Sequence, residues 1–428
     1  CNGTIMDKLI SFSIPLMLSG ILQLMFNAVD IVVVGRFSGS QALAAVGSTT
    51  ALINVFTNLF IGISLGANVL AARYYAAGKT KEMSETVHTA IALALVSGVA
   101  MAVIGVVFAR GALEIMGTPD DVIAKSTLYM RIYFCGMPFF MMYNYGAAIL
   151  RAVGDTKRPL IFLIVSGVIN AVLNLFLVIG FHLDVAGVGI ATVISQLVSC
   201  ILVLRCLHHT ESSYQLHLAK LRIRSVYLKQ IFEVGVPAGI QSTVINISNA
   251  MLQSSVNSFG SIAMAGYTAS NNIFGFLYVS VNSFTQACMS FTSQNYGVKK
   301  LKRMDRVLID CMILSIVVTL ILGSSVYIFG PELLHIYSNQ ADVIKYGMEI
   351  FSYTTVTYFL CGLMDLFPGA LRGMGYSTVP MILSIIGTVG VRIIWIYGLF
   401  PSHRSLTFLF LSYPVSWIAT IIMQVICF

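Results

Sequence analysis

The sequence predicts an all-α membrane protein with twelve transmembrane helices in two six-helix halves, and three observations lead to this prediction. Hydrophobic residues make up 57% of the 428 residues and charged residues only 10%, whereas soluble domains carry roughly 25% charged residues. Twelve apolar runs are long enough to cross the hydrocarbon, which takes about 20 residues of helix. The chain also matches itself at an offset of 221 residues.

The apolar runs lie between clusters of charged or turn-forming residues. They are too long and too evenly apolar for barrel strands, which alternate over about ten residues. Helices are therefore expected, because a backbone in lipid must pair its own polar groups. The expected spans are 10–34, 45–72, 86–109, 122–148, 160–180, 188–206, 231–257, 264–294, 308–329, 343–370, 380–399 and 407–427.

The basic residues predict the orientation of these spans. Of the 25 lysines and arginines, eighteen lie in segments on the same side as the N-terminus and five on the opposite side. Positive residues concentrate in cytoplasmic loops, so both termini are expected in the cytoplasm of a multi-pass protein of the cell membrane. The formal charge of +8 is then a sign of topology, and nucleic-acid binding is not expected.

The internal repeat predicts the domain organisation. The offset pairs Gly39-Ser40 with Gly260-Ser261, and it still holds where LRAVGDTKRP (150–159) meets LRGMGYSTVP (371–380). We therefore expect one bundle over 1–206, a polar cytoplasmic linker over 207–229 and a second bundle over 230–428. Because six is an even number, both halves should enter the bilayer in the same direction.

Several function classes lack their sequence signatures. No GxxxxGK[ST] motif is present to bind nucleotide phosphates, so ATP is not the expected energy source. No HExxH or GxSxG motif supports an enzyme. The eight cysteines contain no CxxC pair, so neither a disulfide framework nor a zinc site is expected. We expect no metal and no cofactor.

Three motifs give the chain a resemblance to a known family. MFNAVDIVVVGRF lies in the first span, LRAVGDTKRP follows the fourth and QNYGVKK ends the eighth. Their order and spacing resemble the multidrug and toxic compound extrusion (MATE) family. The resemblance covers essentially the whole chain, and it implies two bundles around a central cavity, alternating access, and export of organic, often cationic, compounds in exchange for H⁺ or Na⁺.

Asp30 is the main candidate for ion coupling. It lies within the first span, beside Asn27, where a carboxylate costs at least about 2.5–3.5 kcal/mol unless it is paired, hydrated or protonated. Asn170 and Asn174 are four residues apart in the fifth span and share one helix face, and Thr192 begins a polar stripe in the sixth. These oxygens can complete a proton or Na⁺ site with Asp30; the alternative is that they only hold helices together.

The family pattern implies the same set of residues with one departure. Its cation site in the N-terminal half uses an aspartate in the first span, an asparagine in the fifth, an aspartate four residues later and a threonine eighteen residues after that. The matching positions here are Asp30, Asn170, Asn174 and Thr192. An amide replaces the second acid, which weakens the case for Na⁺ and leaves Asp30 as the one acid of this site.

A second polar set is expected in the C-terminal half. Asp365 lies in the tenth span, and its counterpart at the 221-residue offset is Asn144. Arg392 in the eleventh span is a possible ion-pair partner of Asp365. In the seventh span Gln241 and Asn246 stand where some family members carry a glutamate, so they are the remaining polar candidates for substrate contact.

Aromatic and methionine side chains are candidates for a cavity that accepts varied flat cations, because ring faces and thioethers adapt to such shapes. Each could equally pack against lipid or a neighbouring helix. The candidates for cavity lining, together with polar neighbours, are Asn27, Met141, Tyr143, Asn144 and Phe274.

The resemblance and the buried acids predict a secondary antiporter that exports organic compounds in exchange for H⁺ or Na⁺. Its expected partners are small organic molecules and the lipid bilayer, without nucleic acid or ATP, and it is expected to be a monomer. The main alternative is a flippase for lipid-linked oligosaccharides from the same wider superfamily, which would need several cationic cavity residues. A membrane enzyme would need a clustered catalytic set, which the sequence lacks. A non-transporting receptor or scaffold would have no need of deep acids in both halves.

Overall fold

The computed structural model describes residues 1–428 and contains twelve long helical segments. Each predicted span falls on one of them to within a residue. A 3₁₀ turn lies at Leu218–Lys220, and a short helix lies at Gly330–His335. The long segments are α1 (Met6–Phe37), α2 (Ser40–Ala76), α3 (Thr80–Ile115), α4 (Ile123–Cys135 and Met137–Ala152), α5 (Lys157–Gly180), α6 (Val185–His209), α7 (Ser225–Asn257), α8 (Ser261–Gly297), α9 (Leu301–Ile328), α10 (Ala341–Thr354 and Tyr358–Gly373), α11 (Thr378–Ser402) and α12 (Leu406–Cys427).

Most of these segments have the length and composition of membrane spans. Eight helices are long and apolar enough to cross a bilayer, and α10 is a ninth if its two parts, bent by 52°, form one span. The long helices α7 and α8 are among the segments outside this set, and they carry many serine and asparagine side chains. Such side chains are tolerated at membrane depth where they face protein or water.

The repeat in the sequence recurs in the backbone. Gly39 and Gly260 both adopt positive φ, at 89° and 104°, just before α2 and α8. Gly154 and Gly375 do the same after α4 and α10, at 93° and 100°. Only glycine adopts such angles without steric cost, so the two halves turn the chain in the same way at matching positions.

The helices pack into two compact units that each keep their own core. One unit comprises 18–239 and the other comprises 1–17 with 240–428. The divisions fall two residues after Pro15 in α1 and two residues after Pro237 in α7. In the second unit Leu9 and Phe12 pack against the core of α8 and α9. The prediction of bundles over 1–206 and 230–428 follows the repeat and stays a prediction.

Candidate functional site

The first candidate site is a hydrogen-bonded chain of side chains in the unit 18–239. Asn174 donates to the carboxylate of Asp30. Its amide nitrogen also donates to Asn170 Oδ1 at 2.9 Å, and Asn170 Nδ2 donates to Ser195 Oγ at 3.4 Å. The structure therefore brings together three of the four residues expected there.

Thr192 does not join this chain through its side chain, contrary to expectation. Its hydroxyl donates to Val188 O one turn back on α6, at 2.9 Å. Ser195 takes the expected place, with its hydroxyl donating to the Thr192 carbonyl at 2.8 Å. The polar stripe of α6 contains both residues, and only Ser195 lies on the face that meets Asn170.

This cluster has spare capacity to bind a cation or a proton. Asn174 is fully buried, yet its Oδ1 atom has no hydrogen-bond partner, and the same holds for Gln196 Oε1 on α6. None of the six ion pairs in the structure involves Asp30. Since a carboxylate at membrane depth must be neutralised, the arrangement is suited to a mobile H⁺ or metal cation.

The second candidate site lies around Asp365 in the other unit. Tyr278 on α8 and Arg372 both lie close enough to the Asp365 carboxylate to interact with it electrostatically. Arg372 donates in turn to Gln241 Oε1 on α7. Gln241 and Asp365 therefore belong to one network, and Arg372 supplies its positive charge.

Arg392 is not the ion-pair partner of Asp365, so this possibility is wrong. Its guanidinium donates to Ser416, Ser248 and Asn249, and it lies over the ring of Tyr413 at 4.8 Å. A position within a predicted span does not determine which neighbour a side chain faces.

The remaining candidates occupy different environments. Asn27 and Asn246 are exposed in the structure. The Tyr143 hydroxyl donates to Pro159 O at 3.0 Å, and Asn144 donates to Phe140 O within its own helix.

Two cavity-lining candidates pack inside a core instead. Met141 is fully buried in the core of the unit 18–239, so it lines no cavity in this structure. Phe274 packs against Phe351 and Tyr358, with ring centroids 5.6 and 5.8 Å away. Apolar residues at the right depth fill helix interfaces as readily as cavities, and the sequence does not separate the two.

Comparison with known proteins decides the family. The MatE family model matches residues 15–176 and again residues 237–397. The chain belongs to the MatE family. The two matches begin at positions that repeat the 221-residue offset to within one residue, so the family model recognises each half of the repeat separately.

Named relatives of this MatE chain are bacterial multidrug proteins. It is 30% identical over 389 residues to "Probable multidrug resistance protein YoeA" of Bacillus subtilis, covering 89% of this chain and 84% of the relative. It is 23% identical over 408 residues to "Multidrug export protein MepA" of Staphylococcus saprophyticus, covering 93% and 89%. The MatE family consists of membrane transporters, and this chain is a transporter and not an enzyme.

Solved structures confirm the fold class. The chain superposes on "Crystal structure of MATE in complex with MaL6" with a TM-score of 0.92 and 19% identity, over 99% of this chain and 96% of that one. It superposes on "Outward-facing conformation of a multidrug resistance MATE family transporter of the MOP superfamily" with a TM-score of 0.90 and 19% identity, over 99% and 94%. The all-α, twelve-helix fold predicted from the sequence is confirmed.

Proposed function

We propose that this protein is a secondary antiporter that exports organic cations from the cytoplasm in exchange for protons. The observation that carries the proposal is the chain from Asp30 through Asn174 and Asn170 to Ser195, which contains one carboxylate and no basic side chain. The names of the relatives support drug export, and the single acid favours H⁺ over Na⁺ because Na⁺ sites gain affinity from further carboxylates.

In this proposal the charge of Asp30 couples proton entry to substrate export. When it is ionised, its unit carries a negative charge at membrane depth that attracts a cationic substrate. Protonation removes this charge and weakens substrate binding, so the two ligands compete and each favours a different state of the transporter. One proton that moves inward through 100 mV releases about 2.3 kcal/mol, which sustains roughly a fiftyfold gradient of a neutral substrate.

The orientation and location form part of the proposal. Both termini lie in the cytoplasm and the protein works as a monomer in the cell membrane, without ATP or a bound cofactor. The excess of basic residues on the side of the termini supports this orientation. The flippase alternative receives little support, because Arg392 and Arg372 are the buried guanidinium groups of the C-terminal unit and Arg372 is already close to Asp365.

The variant Asp30→Asn tests the proposal. It keeps a hydrogen-bonding side chain and removes the titrating proton, so we expect normal membrane expression and loss of ethidium transport in everted vesicles energised with a pH gradient. Asp120→Asn is the matched control, because Asp120 is exposed in the connection after α3 and should keep wild-type transport. Full drug resistance in cells that carry Asp30→Asn would overturn the coupling role.

A further inference from the structure

Arg392 is a buried cation with hydrogen-bonding partners but no acid. It lies on α11 with only 3% of its surface exposed. Its Nε donates to Ser416 Oγ at 3.3 Å, and its Nη1 donates to Ser248 Oγ at 3.4 Å and to Asn249 Oδ1 at 2.7 Å. All three partners are neutral, and none of the ion pairs in the structure includes Arg392.

The guanidinium has one nitrogen left for a ligand. Its Nη2 makes no hydrogen bond, whereas Nε and Nη1 are engaged and one face is covered by the ring of Tyr413 at 4.8 Å. Asn249 and Tyr413 are only half-buried, so the side chains beside the guanidinium reach the surface of this unit. A charge at this depth is costly without a counter-charge, and the protein does not supply one.

In the repeat, the surroundings of Arg392 in the second half correspond to the Asp30 cluster in the first half. At the 221-residue offset Ser195 corresponds to Ser416, and Asn170 corresponds to Val391, the residue before Arg392. The contact between α5 and α6 at Asn170 and Ser195 therefore recurs between α11 and α12 at Arg392 and Ser416. The charge is inverted: the first cluster contains a carboxylate and the second a guanidinium.

The backbone around Arg392 is also unusual. It lies in a single α-helical turn, Val391–Ile394, between two π-helical stretches at Ile385–Gly390 and Trp395–Leu399. In the matching helix α5 one π-helical stretch, Phe176–Gly180, follows the turn that carries Asn174. Short π-helical segments occur frequently at functional sites, and here they flank the polar residues of both clusters.

We propose that Arg392, with Ser248, Asn249 and Ser416, forms an anion site that binds the carboxylate of zwitterionic substrates. This inference rests on the proposed export function and adds a substrate class to it. A carboxylate accepts charge-assisted hydrogen bonds from the free Nη2 and supplies the missing counter-charge. Asp365 belongs to the same unit, so this unit offers both a basic and an acidic side chain to a zwitterion.

A pair of dyes that differ only at the carboxylate tests the proposal. Rhodamine 110 carries a free carboxylate, and rhodamine 123 is its methyl ester. Binding to the purified full chain is measured by fluorescence polarisation for wild type, Arg392→Gln and Arg392→Lys. The matched control is Arg404→Gln, the same substitution at an exposed arginine of this unit.

We expect Arg392→Gln to raise the Kd ratio of rhodamine 110 to rhodamine 123 at least tenfold, or about 1.4 kcal/mol. Arg392→Lys keeps the charge without the planar fork, so it should raise the ratio less, and it provides the test if the glutamine variant does not fold. Arg404→Gln should leave the ratio unchanged.

Three outcomes would overturn the anion site. Equal weakening of both dyes by Arg392→Gln would show that the arginine only maintains the structure, and an unchanged ratio would show that the carboxylate binds elsewhere. If wild type transports rhodamine 123 against a pH gradient but does not bind rhodamine 110, the export function stands and the anion site is lost. If wild type handles neither dye, the anion site is lost, and the ethidium assay decides the export function separately.

Discussion

At the scale of single residues, Asn174 is the position where the proposed proton coupling can be tested against sodium coupling. Asn174→Asp would place a second carboxylate beside the first, since the present amide donates directly to Asp30. Two adjacent carboxylates cannot both ionise without a cation between them. We therefore expect the variant to gain stimulation of ethidium transport by 100 mM NaCl at pH 8, measured in proteoliposomes, while wild type shows none.

Potassium chloride at the same concentration is the control for ionic strength in this experiment. Stimulation of the variant by both salts alike would mean that the second acid does not create a sodium site. Stimulation of wild type by sodium would mean that the amide already serves as a Na⁺ ligand, and proton coupling would then be the wrong choice.

The residue scale also shows how far the sequence could predict the sites. Asp30, Asn170 and Asn174 were predictable because an acid in an apolar run and two amides one turn apart are visible without a structure. Ser195 instead of Thr192 was not predictable, because both lie in one polar stripe and only packing decides which faces α5. For the same reason the partners of Arg392 could not be predicted, because they depend on how α11 is rotated about its own axis.

At the scale of helices, the close contact between α2 and α7 is the feature most sensitive to added volume. Two GxxxG motifs face each other here, at Gly62–Gly66 and Gly235–Gly239. A Cβ added at Gly62 would lie 2.3 Å from the Cα of Gly239, and one at Gly66 would lie 2.1 Å from Ile231 O. Small residues let membrane helices approach this closely, and the paired GxxxG motifs are visible in the sequence itself.

We expect Gly62→Ala to destabilise the protein by about 1–3 kcal/mol, the usual cost of overpacking a tight contact. Thermal unfolding of the purified protein, followed by scanning fluorimetry, measures this as a lower Tm. Gly47→Ala is the matched control, because Gly47 lies in the same helix with no atom near its added Cβ. Equal Tm values for the two variants would show that α2 and α7 do not pack this closely.

The linker between α6 and α7 is held to α3 by a contact that depends on pH. The backbone N–H of His217 donates to His88 Nε2 at 3.0 Å, and His88 Nδ1 lies 2.6 Å from the Ser84 carbonyl. Both nitrogens are satisfied only when His88 is neutral. Loss of hydration, with the nearby Lys220, His88 and His208, lowers the pKa of His217 below its usual value.

Because the pKa of His217 is lowered, the folded protein favours its neutral imidazole, so the linker loses stability as the pH falls and His217 binds a proton. A proton on His88 Nε2 would also remove the acceptor of the His217 N–H. We expect the amides of 211–224 to exchange faster with deuterium at pH 5.5 than at pH 8, after correction for intrinsic rates. His88→Phe should exchange fast at both pH values. Slow, pH-independent exchange in that variant would show that the contact between His88 and the His217 N–H does not hold the linker to α3.

At the scale of the whole molecule, the sequence predicted the repeat but not how the chain divides between compact units. The offset of 221 residues predicted that the two halves have matching spans, matching turns and polar residues at matching positions along their helices, because similar sequences form similar helices. The units 18–239 and 1–17 with 240–428 depend on packing across distant parts of the chain. Residues 6–17 of α1 belong to a different unit from the rest of that helix, and the same holds for residues 225–239 of α7. No local sequence pattern indicates that a helix is divided in this way.

The charge moved in one complete transport cycle is the property of the whole molecule that tests its mechanism. If one proton on Asp30 exchanges for one singly charged cation, no net charge crosses the membrane. A pH gradient then drives accumulation of about tenfold per pH unit, whereas a membrane potential alone drives none. For a neutral substrate the same exchange moves one positive charge, and about 2.3 kcal/mol per 100 mV becomes available.

Proteoliposomes with the potential set by a potassium gradient and valinomycin distinguish these cases. We expect ethidium, a single cation, to follow the pH gradient and to ignore the potential. Ethidium accumulation driven by potential alone would require at least two protons per cycle. Asp365 would then be the second carrier, because it lies deep in the tenth span and forms no ion pair within 4.0 Å, and Asp365→Asn should make the exchange electroneutral.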